Sequence, residues 1–103
     1  MRILIDYLSR KLRLTDERLS HILEHPEMVG LESWIESTLR SPERVVRSRS
    51  DSSVRLSYRY LEATDVGGKW LCVVTKLAPN DAFVLTAYLT DKPKEGEQLW
   101  PSE

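Results

Sequence analysis

Two consecutive apolar segments constrain the fold more than any other part of the sequence. Residues 70–77 are apolar at both alternating sets of positions, which is typical of a central strand covered on both faces. The turn-forming residues 78–81 follow, and residues 82–90 then alternate, with one face carrying Phe83, Leu85, Ala87 and Leu89. Strands joined by so short a turn pair antiparallel, so these segments predict the centre of an antiparallel sheet.

Two further segments predict strands before this pair. Residues 54–60 place Val54, Leu56 and Tyr58 on one face and Arg55, Ser57 and Arg59 on the other, and residues 65–68 form the following turn. Residues 44–49 predict a shorter strand. The sequence therefore predicts about four strands after residue 43.

Two helices are predicted upstream of these strands. Thr15 is a good N-cap and is followed by two acidic residues, whereas Pro26 disfavours helical geometry at His25, so the first helix should end near Glu24 or His25. The second helix follows Gly30 at helical spacing and stops at Ser41-Pro42. We expect both helices to cover one sheet face, in a core shared by Leu19, Ile22, Leu23, Ile35, Leu39, Leu85 and Ala87.

The predicted fold class is α+β, with two N-terminal helices packed on a roughly four-stranded antiparallel sheet. Its 103 residues suit a single domain spanning 1–103, with residues 1–11 as an N-terminal strand or arm and residues 91–103 as a polar C-terminal tail. The single cysteine, Cys72, forms no intrachain disulfide, and no segment is typical of a signal peptide or a membrane span. We therefore expect a cytoplasmic protein without membrane contact.

Charge is unevenly distributed along a chain whose net charge is -1. Residues 40–59 carry six arginines and two acidic residues, a local excess of four positive charges. Arginine offers a planar, bidentate fork for phosphate, so this segment favours phosphate contact. A solvated face in which Glu43 and Asp51 pair with some of the arginines is the alternative interpretation.

The sheet face away from the helices is predicted to gather polar groups. Thr86 and Tyr88 point to that face, and on the preceding strands the same face is expected to hold Lys76, Arg55, Ser57 and Arg59. RNA cleavage by an internal 2′-hydroxyl needs a proton acceptor, a proton donor and cations near the phosphate. Two histidines, His21 and His25, are the candidates for general acid or base.

Each candidate also has an ordinary structural interpretation. His25 before Pro26 can simply end a helix, and Thr86 and Tyr88 are common strand residues. The segment His21-Ile22-Leu23-Glu24-His25 also matches the H-x-x-E-H pattern of inverted zinc peptidases. Those enzymes need a third carboxylate ligand from a separate element and a larger scaffold, and the first helix is predicted to end at the motif, so we expect no metal or other cofactor here.

Four sequence blocks together resemble a known group, the phage and prophage branch of the barnase/EndoU/colicin/RelE-like nucleases. The blocks are the run from Leu14 to Met28 containing His-Ile-x-x-His-Pro-Glu-Met, Ser41-Pro42-Glu43-Arg44-Val45, residues 82–88 with Phe-Val-x-Thr-Ala-Tyr, and Gly96 with Leu99-Trp100. The similarity covers about residues 12 to 100. The net charge of -1 departs from the basic relatives of this group.

This resemblance implies a metal-independent endoribonuclease that acts as the toxin of a toxin-antitoxin pair or phage conflict system. It also implies an active centre of a helix histidine, a basic strand residue, and a threonine with an aromatic partner. Carried onto this sequence, those are His21 with His25 as second candidate, Arg55 or Lys76, and Thr86 with Tyr88. Arg47 and Arg59 complete the expected phosphate-binding set.

The expected partners are an RNA substrate and a cognate antitoxin protein, with no DNA. A catalytically silent protein-binding module of the same fold is the alternative function, and a zinc hydrolase is a third.

Overall fold

The computed structural model describes residues 1–102, which form one curved sheet with two α-helices on one face. Within these residues no helix is long and apolar enough to cross a membrane. The helices are α1 (Asp16–Leu23) and α2 (Glu32–Arg40), with a short 3₁₀ turn at Pro26–Met28 between them. The strands are β1 (Arg2–Ile5), β2 (Lys11–Leu14), β3 (Arg44–Arg47), β4 (Val54–Leu61), β5 (Lys69–Ala78), β6 (Asp81–Thr90) and β7 (Glu97–Trp100).

The prediction of a four-stranded antiparallel sheet is wrong. The sheet has seven strands in the order β1-β2-β6-β5-β4-β3-β7, and one neighbouring pair, β2 with β6, is parallel. The additional strands flank the predicted four on both sides. Two of them, β1 and β2, precede the helices, and β7 lies inside the segment predicted as a polar tail.

Strand β1 lies within residues 1–11, which were predicted as an N-terminal strand or arm, but its hairpin with β2 was missed because the turn contains neither glycine nor proline. The Asp6 carboxylate organises the turn instead, since its Oδ1 accepts from the backbone N–H groups of Leu8 and Arg10, both at 2.9 Å. Ser9 takes the left-handed conformation, with φ of 64°. A buried aspartate that satisfies turn amides substitutes for the usual glycine signal.

Both helices form where local sequence signals place them. Thr15 caps α1, with its Oγ1 accepting from the Arg18 N–H at 3.1 Å, and the helix ends at Leu23, close to the predicted limit before Pro26. Gly30, with φ of +88°, precedes α2, which ends before Ser41-Pro42.

The apolar core lies between the helices and the sheet. It contains Ile22, Ile35, Leu39 and Ala87 as fully buried residues, with Leu19 and Leu23 packed against it, as predicted. Leu85 was predicted in this core and is absent from it. Leu85 packs instead against a second apolar cluster on the opposite sheet face.

A β-bulge in β6 explains the position of Leu85. Thr75 of β5 pairs with Val84, and the next residue, Val74, pairs with Thr86, so Leu85 is the extra residue between them. A bulge shifts the alternation of side chains along its strand. Val84 and Ala87 therefore both face the helices, which strict alternation forbids for residues three apart.

The two outer edges of the sheet approach each other. Tyr7, directly after β1, contacts Trp100 of β7 with ring centroids 5.6 Å apart. Since β1 and β7 are the outermost strands, this contact means that the sheet curls around α2. The face opposite the helices is therefore convex.

Thr38 offers a test of the core. Its Oγ1 is buried between α2 and the sheet and has no hydrogen-bond partner among residues 1–102. An unsatisfied buried hydroxyl destabilises a fold, so the isosteric change Thr38→Val should raise the free energy of unfolding by about 1 kcal/mol. Urea denaturation measures this change. Thr38→Ser, which keeps the hydroxyl and loses a methyl group, should be less stable than wild type, and a destabilised Thr38→Val protein would contradict the assignment.

Candidate functional site

The convex face carries its own apolar cluster, formed by alternate residues of the central strands. Buried members are Val46, Val54, Leu56, Tyr58 and Cys72, with Trp70, Val74, Leu85 and Tyr88 packed against them. The segment 91–96, which we call the strap, crosses this face between β6 and β7. The strap is anchored where the Lys94 N–H donates to Tyr58 Oη at 3.0 Å.

Gly96 fixes the far end of the strap. A Cβ atom at this position would lie 2.6 Å from both Val46 Cγ1 and the Arg47 carbonyl oxygen. Only glycine permits so close an approach of the strap to β3. The strap is therefore held against the convex face at both Lys94 and Gly96.

A groove of about 480 Å³ lies beside the strap. Its floor is apolar and includes Val54, Leu56, Val74 and the Tyr88 ring, and its rim is polar, with Ser48, Arg49, Ser50, Thr86, Lys94 and Glu95. Thr86 is exposed and Tyr88 is half-buried. An apolar floor with convergent hydroxyl and cationic groups is the usual composition of a ligand site.

A larger depression of about 880 Å³ adjoins the groove and shares Arg49, Lys94 and Glu95 with it. Its other lining residues are Arg44, Thr90, Lys92 and Pro93. We call it the cationic trough, because four basic side chains surround a single carboxylate. Arg49 pairs with Glu95 at 3.8 Å, whereas Arg44, Lys92 and Lys94 form no ion pair within residues 1–102.

The β3–β4 turn is held rigidly at the rim of the groove. Asp51 Oδ2 accepts from Lys76 Nζ at 2.8 Å, and its Oδ1 accepts from the Ser53 N–H and hydroxyl at 2.9 and 2.6 Å. These bonds to Lys76 and Ser53 hold the pKa of Asp51 well below its usual range. The turn that carries Arg49 and Ser50 is therefore tied to β5.

Three ionisable groups lie side by side under the strap. Tyr58 pairs with Cys72, and Cys72 pairs with Tyr88, in direct register across β4, β5 and β6. Burial raises the pKa of the Cys72 thiol to about 11, and burial with the neighbouring Cys72 raises the pKa of Tyr58 to about 12. Burial and Cys72 raise the pKa of Tyr88 as well. Near neutral pH, Tyr88 is therefore a protonated hydrogen-bond donor at the groove floor.

Comparison with protein-family models, curated proteins and solved structures finds no match to this chain.

The two histidines do not belong to the groove. His21 and His25 lie in and just after α1, on the helix-bearing side of the sheet, and both side chains are 65% exposed. His21 Nδ1 lies 2.8 Å from Glu24 Oε2, and His25 Nδ1 lies 3.7 Å from Glu27 Oε1. The expectation that His21 acts beside Thr86 and Tyr88 finds no support in this arrangement.

The zinc-peptidase motif does not take its required geometry either. Helix α1 ends at Leu23, and His25 has extended backbone angles, φ of −78° and ψ of 117°, so the two histidines do not lie one turn apart on a continuous helix. In the described chain, 1–102, no three His, Cys, Asp or Glu side chains form a metal-binding group.

The predicted phosphate-binding residues divide between the two faces. Lys76 lies on the convex face, paired with Asp51. Arg55 and Arg59 alternate with the convex-face residues of β4 and so lie on the helix-bearing face, and the prediction that they share a face with Thr86 and Tyr88 is wrong. Arg59 lies over the Trp34 ring of α2 at 5.5 Å and donates to the Ser41 carbonyl oxygen at 3.0 Å.

Arg47 and Arg55 form a separate cluster on the helix-bearing side. They pair directly across β3 and β4, and both donate to the Ser52 carbonyl oxygen, at 3.3 and 2.6 Å. Arg47 is also paired with Glu97 at 2.8 Å. Burial, with Arg47 and Arg10 nearby, lowers the pKa of Arg55. These two arginines flank the β3–β4 turn on the side away from the groove.

The groove residues that sequence reasoning missed are Arg49, Lys94 and Glu95. Arg49 was counted in the arginine-rich segment without a separate role, and the other two were assigned to a polar tail. The sequence signal nearest to the strap is Gly96 followed by residues 97–100, a glycine before a short strand. A four-residue strand with one half-buried leucine is too weak a pattern to recognise without its partner β3.

The raised pKa values of Cys72 and Tyr58 predict that the folded protein loses stability at alkaline pH. In the unfolded chain Cys72 and Tyr58 ionise near their ordinary pKa values of 9.0 and 10.0, whereas in the folded protein they stay protonated up to about 11 and 12. The folded state then binds more protons, so the free energy of unfolding should fall as pH rises from about 9 to 12. Urea denaturation at intervals across this range measures the slope. Cys72→Ala should flatten it between about 9 and 11, and an unchanged slope in that variant would refute the assignment.

Proposed function

We propose that this protein is a cytoplasmic, metal-independent endoribonuclease that binds the RNA backbone in the groove and the cationic trough. One observation carries the proposal: Thr86 and Tyr88 line the same groove as the cationic side chains of Arg49 and Lys94. The resemblance to the nuclease group implies a threonine with an aromatic partner in the active centre. In that role the protein is the toxin of a toxin-antitoxin or phage conflict system, with a cognate antitoxin as protein partner.

The charge distribution supports phosphate binding at this face. The trough combines Arg44, Arg49, Lys92 and Lys94 with the single acidic residue Glu95, although the whole chain has a net charge of -1. Cations without carboxylate partners remain available to neutralise phosphates, and releasing counterions from the nucleic acid favours binding. Local charge, not net charge, is therefore the quantity relevant to RNA affinity.

The groove contains the groups that internal RNA cleavage requires. Glu95 is the carboxylate among the residues lining it, and we assign it as the general base. The 2′-hydroxyl oxygen forms a bond to phosphorus while its proton passes to Glu95. The bond from phosphorus to the 5′ oxygen breaks, and that oxygen takes a proton from water in the open groove. Glu95 then returns its proton to solvent, leaving a 2′,3′-cyclic phosphate and a 5′-hydroxyl end.

The remaining groove residues hold the phosphate. Tyr88 is protonated near neutral pH, as an ordinary tyrosine is, and burial and Cys72 raise its pKa further, so its hydroxyl can donate a hydrogen bond to a phosphate oxygen. The exposed Thr86 hydroxyl lies on the same strand and can orient the substrate. Arg49 and Lys94 stabilise the charge that develops on the non-bridging oxygens in the transition state.

The binding step is tested with Arg49→Ala and Lys94→Ala. Each change should weaken RNA binding and reduce the slope of log affinity against log salt by about 0.7, the value for one single-strand phosphate contact. Fluorescence anisotropy with a labelled RNA across a salt series provides the measurement. Arg18→Ala, which removes an exposed arginine from α1 on the other side of the sheet, is the matched control and should bind like wild type. Equal losses in all three variants would remove the groove from the proposal.

The cleavage step is tested with Glu95→Gln. Losing a general base should slow cleavage by about 10²- to 10⁴-fold while RNA affinity is retained, because the arginine and lysines remain. His21→Ala and His25→Ala should cleave like wild type, since both histidines are exposed on the helix-bearing side. The readout is single-turnover cleavage with analysis of the product ends, in buffer containing EDTA. Full activity of Glu95→Gln, or loss of activity in His21→Ala, would overturn this assignment.

A catalytically silent binding module is the second candidate. The observation that favours it is the separation of both histidines from the groove, which leaves general acid-base chemistry to a single exposed carboxylate. Under this alternative the wild-type protein binds its partner at the convex face and leaves RNA intact under all the conditions above.

A further inference from the structure

An aromatic pair extends the convex face beyond the cationic trough. Tyr60 of β4 and Trp70 of β5 pair directly across the ladder, with ring centroids 5.4 Å apart and planes at 70°. Tyr60 is 43% exposed and lies one residue before the end of β4, a central strand of the sheet, so one face of its ring is open to solvent. The buried Tyr58 ring lies edge-on to the same tryptophan at 6.5 Å.

The Tyr60 ring is held in a fixed position. A Cβ atom on Gly68 would lie 2.2 Å from Tyr60 Oη and 3.1 Å from Cζ, so the backbone at Gly68 borders the ring at its hydroxyl end. On the other side the ring packs against Trp70. The backbone N–H of Tyr60 donates to the Glu43 carboxylate. A ring restrained in this way loses little conformational entropy when a planar ligand stacks on it.

The aromatic pair lies next to the path that we propose for the RNA backbone. Thr90, which lines the cationic trough, lies directly opposite Trp70 in the ladder, and Trp70 lies opposite Tyr60. Tyr88 of the groove lies two residues earlier on β6, about 7 Å along the strand at roughly 3.4 Å per residue. Tyr60 lies two strands away from β6, about 10 Å across the sheet at roughly 4.8 Å per strand, so the positions of Tyr60 and Tyr88 are about 12 Å apart. Stacked nucleotides advance about 3.4 Å each along a strand, so about three to four nucleotides span this distance.

We propose that Tyr60, supported by Trp70, is a base-stacking platform that makes the convex face selective for single-stranded RNA. This inference rests on the proposed function, since it supplies the substrate class for the same face. An unpaired base can turn away from its neighbours and stack on an aromatic ring, whereas a base inside a duplex cannot reach the platform without unpairing. The cations of the trough bind the backbone and the aromatic pair binds a base.

The competing occupants of such a face have different requirements. A duplex needs phosphate contacts on two strands and makes no use of an exposed ring, and an acidic protein needs the cations alone. A rigid, exposed aromatic ring about three to four nucleotides from Tyr88 of the groove favours single-stranded nucleic acid over both.

The experiment compares three probes by fluorescence anisotropy, either directly or by competition. The first is a labelled, non-self-complementary RNA of about eight nucleotides, a length within the range of single-strand site sizes, with 2′-O-methyl groups that prevent cleavage. The second is the same strand in a duplex, and the third is inorganic polyphosphate of matched length. Tyr60→Ala should weaken single-strand binding about 5- to 150-fold and leave polyphosphate binding unchanged, because one base–aromatic stack is lost and the phosphate contacts remain.

Two matched variants separate stacking from other effects. Tyr60→Phe keeps the ring and should bind single-stranded RNA like wild type. Trp34→Ala removes another exposed aromatic residue, from α2 on the helix-bearing side, and should also bind like wild type. Tyr60 is exposed, so folding of the alanine variant can be checked by its unfolding midpoint.

The outcomes distinguish this inference from the proposed function. If Tyr60→Ala binds single-stranded RNA as tightly as wild type does, the stacking platform is overturned and the RNA-binding proposal stands. The same holds if the wild-type protein binds the duplex as tightly as the single strand. Failure of the wild-type protein to bind any RNA probe would overturn the proposed function and the platform with it. A selective loss in Tyr60→Ala for the single strand supports both.

Discussion

The bulge at Leu85 is the constraint on which the rest of this structure depends. A regular β6 would point residues 83, 85 and 87 toward the helices and leave residues 84, 86 and 88 on the convex face. The bulge keeps Ala87 on the helix side and Thr86 and Tyr88 in the groove, and it reverses the residues before them, so that Val84 enters the helix-side core and Leu85 packs on the convex face. Tyr88 then lies in register with Cys72 and Tyr58, which form the base of the convex cluster. One extra residue therefore adds Val84 to the core and Leu85 to the apolar cluster of the convex face.

Local patterns were sufficient for the elements whose signals lie within a few residues. The threonine cap and Pro26 defined α1, and the alternation of β4 with the apolar run of β5 defined the centre of the sheet. Signals that depend on distant partners were not readable. Strand β7 is four residues long and is stabilised by pairing with β3, about fifty residues earlier in the chain. The hairpin of β1 and β2 depends on the Asp6 side chain and not on a recognised turn sequence.

The candidate site was predictable only in part, and for a geometric reason. Thr86 and Tyr88 were assigned to the face away from the helices, where the structure has them. Arg55 and Arg59 were assigned to that face as well. In the structure the alternate residues of β4 belong to the apolar cluster of the convex face, which leaves both arginines on the helix side. Sequence alternation defines two faces for a strand without saying which of them meets the helices. The strap, which supplies Lys94 and Glu95, is even less accessible to such reasoning.

The strap also explains how a chain with a small negative net charge can present a cationic surface. Elsewhere in the molecule many charged side chains form ion pairs, such as Arg13 with Asp81, Arg10 with Asp6 and Arg47 with Glu97. The strap brings Lys92 and Lys94 over the convex face toward Arg44 and Arg49. Arg44 is the first residue of β3, and Arg49 lies in the turn between β3 and β4. Gly96 allows the strap to approach β3 closely, and the pairing of β7 with β3 holds these charges together in the folded protein. The electrostatic character of the face is therefore a product of tertiary structure, and composition alone does not reveal it.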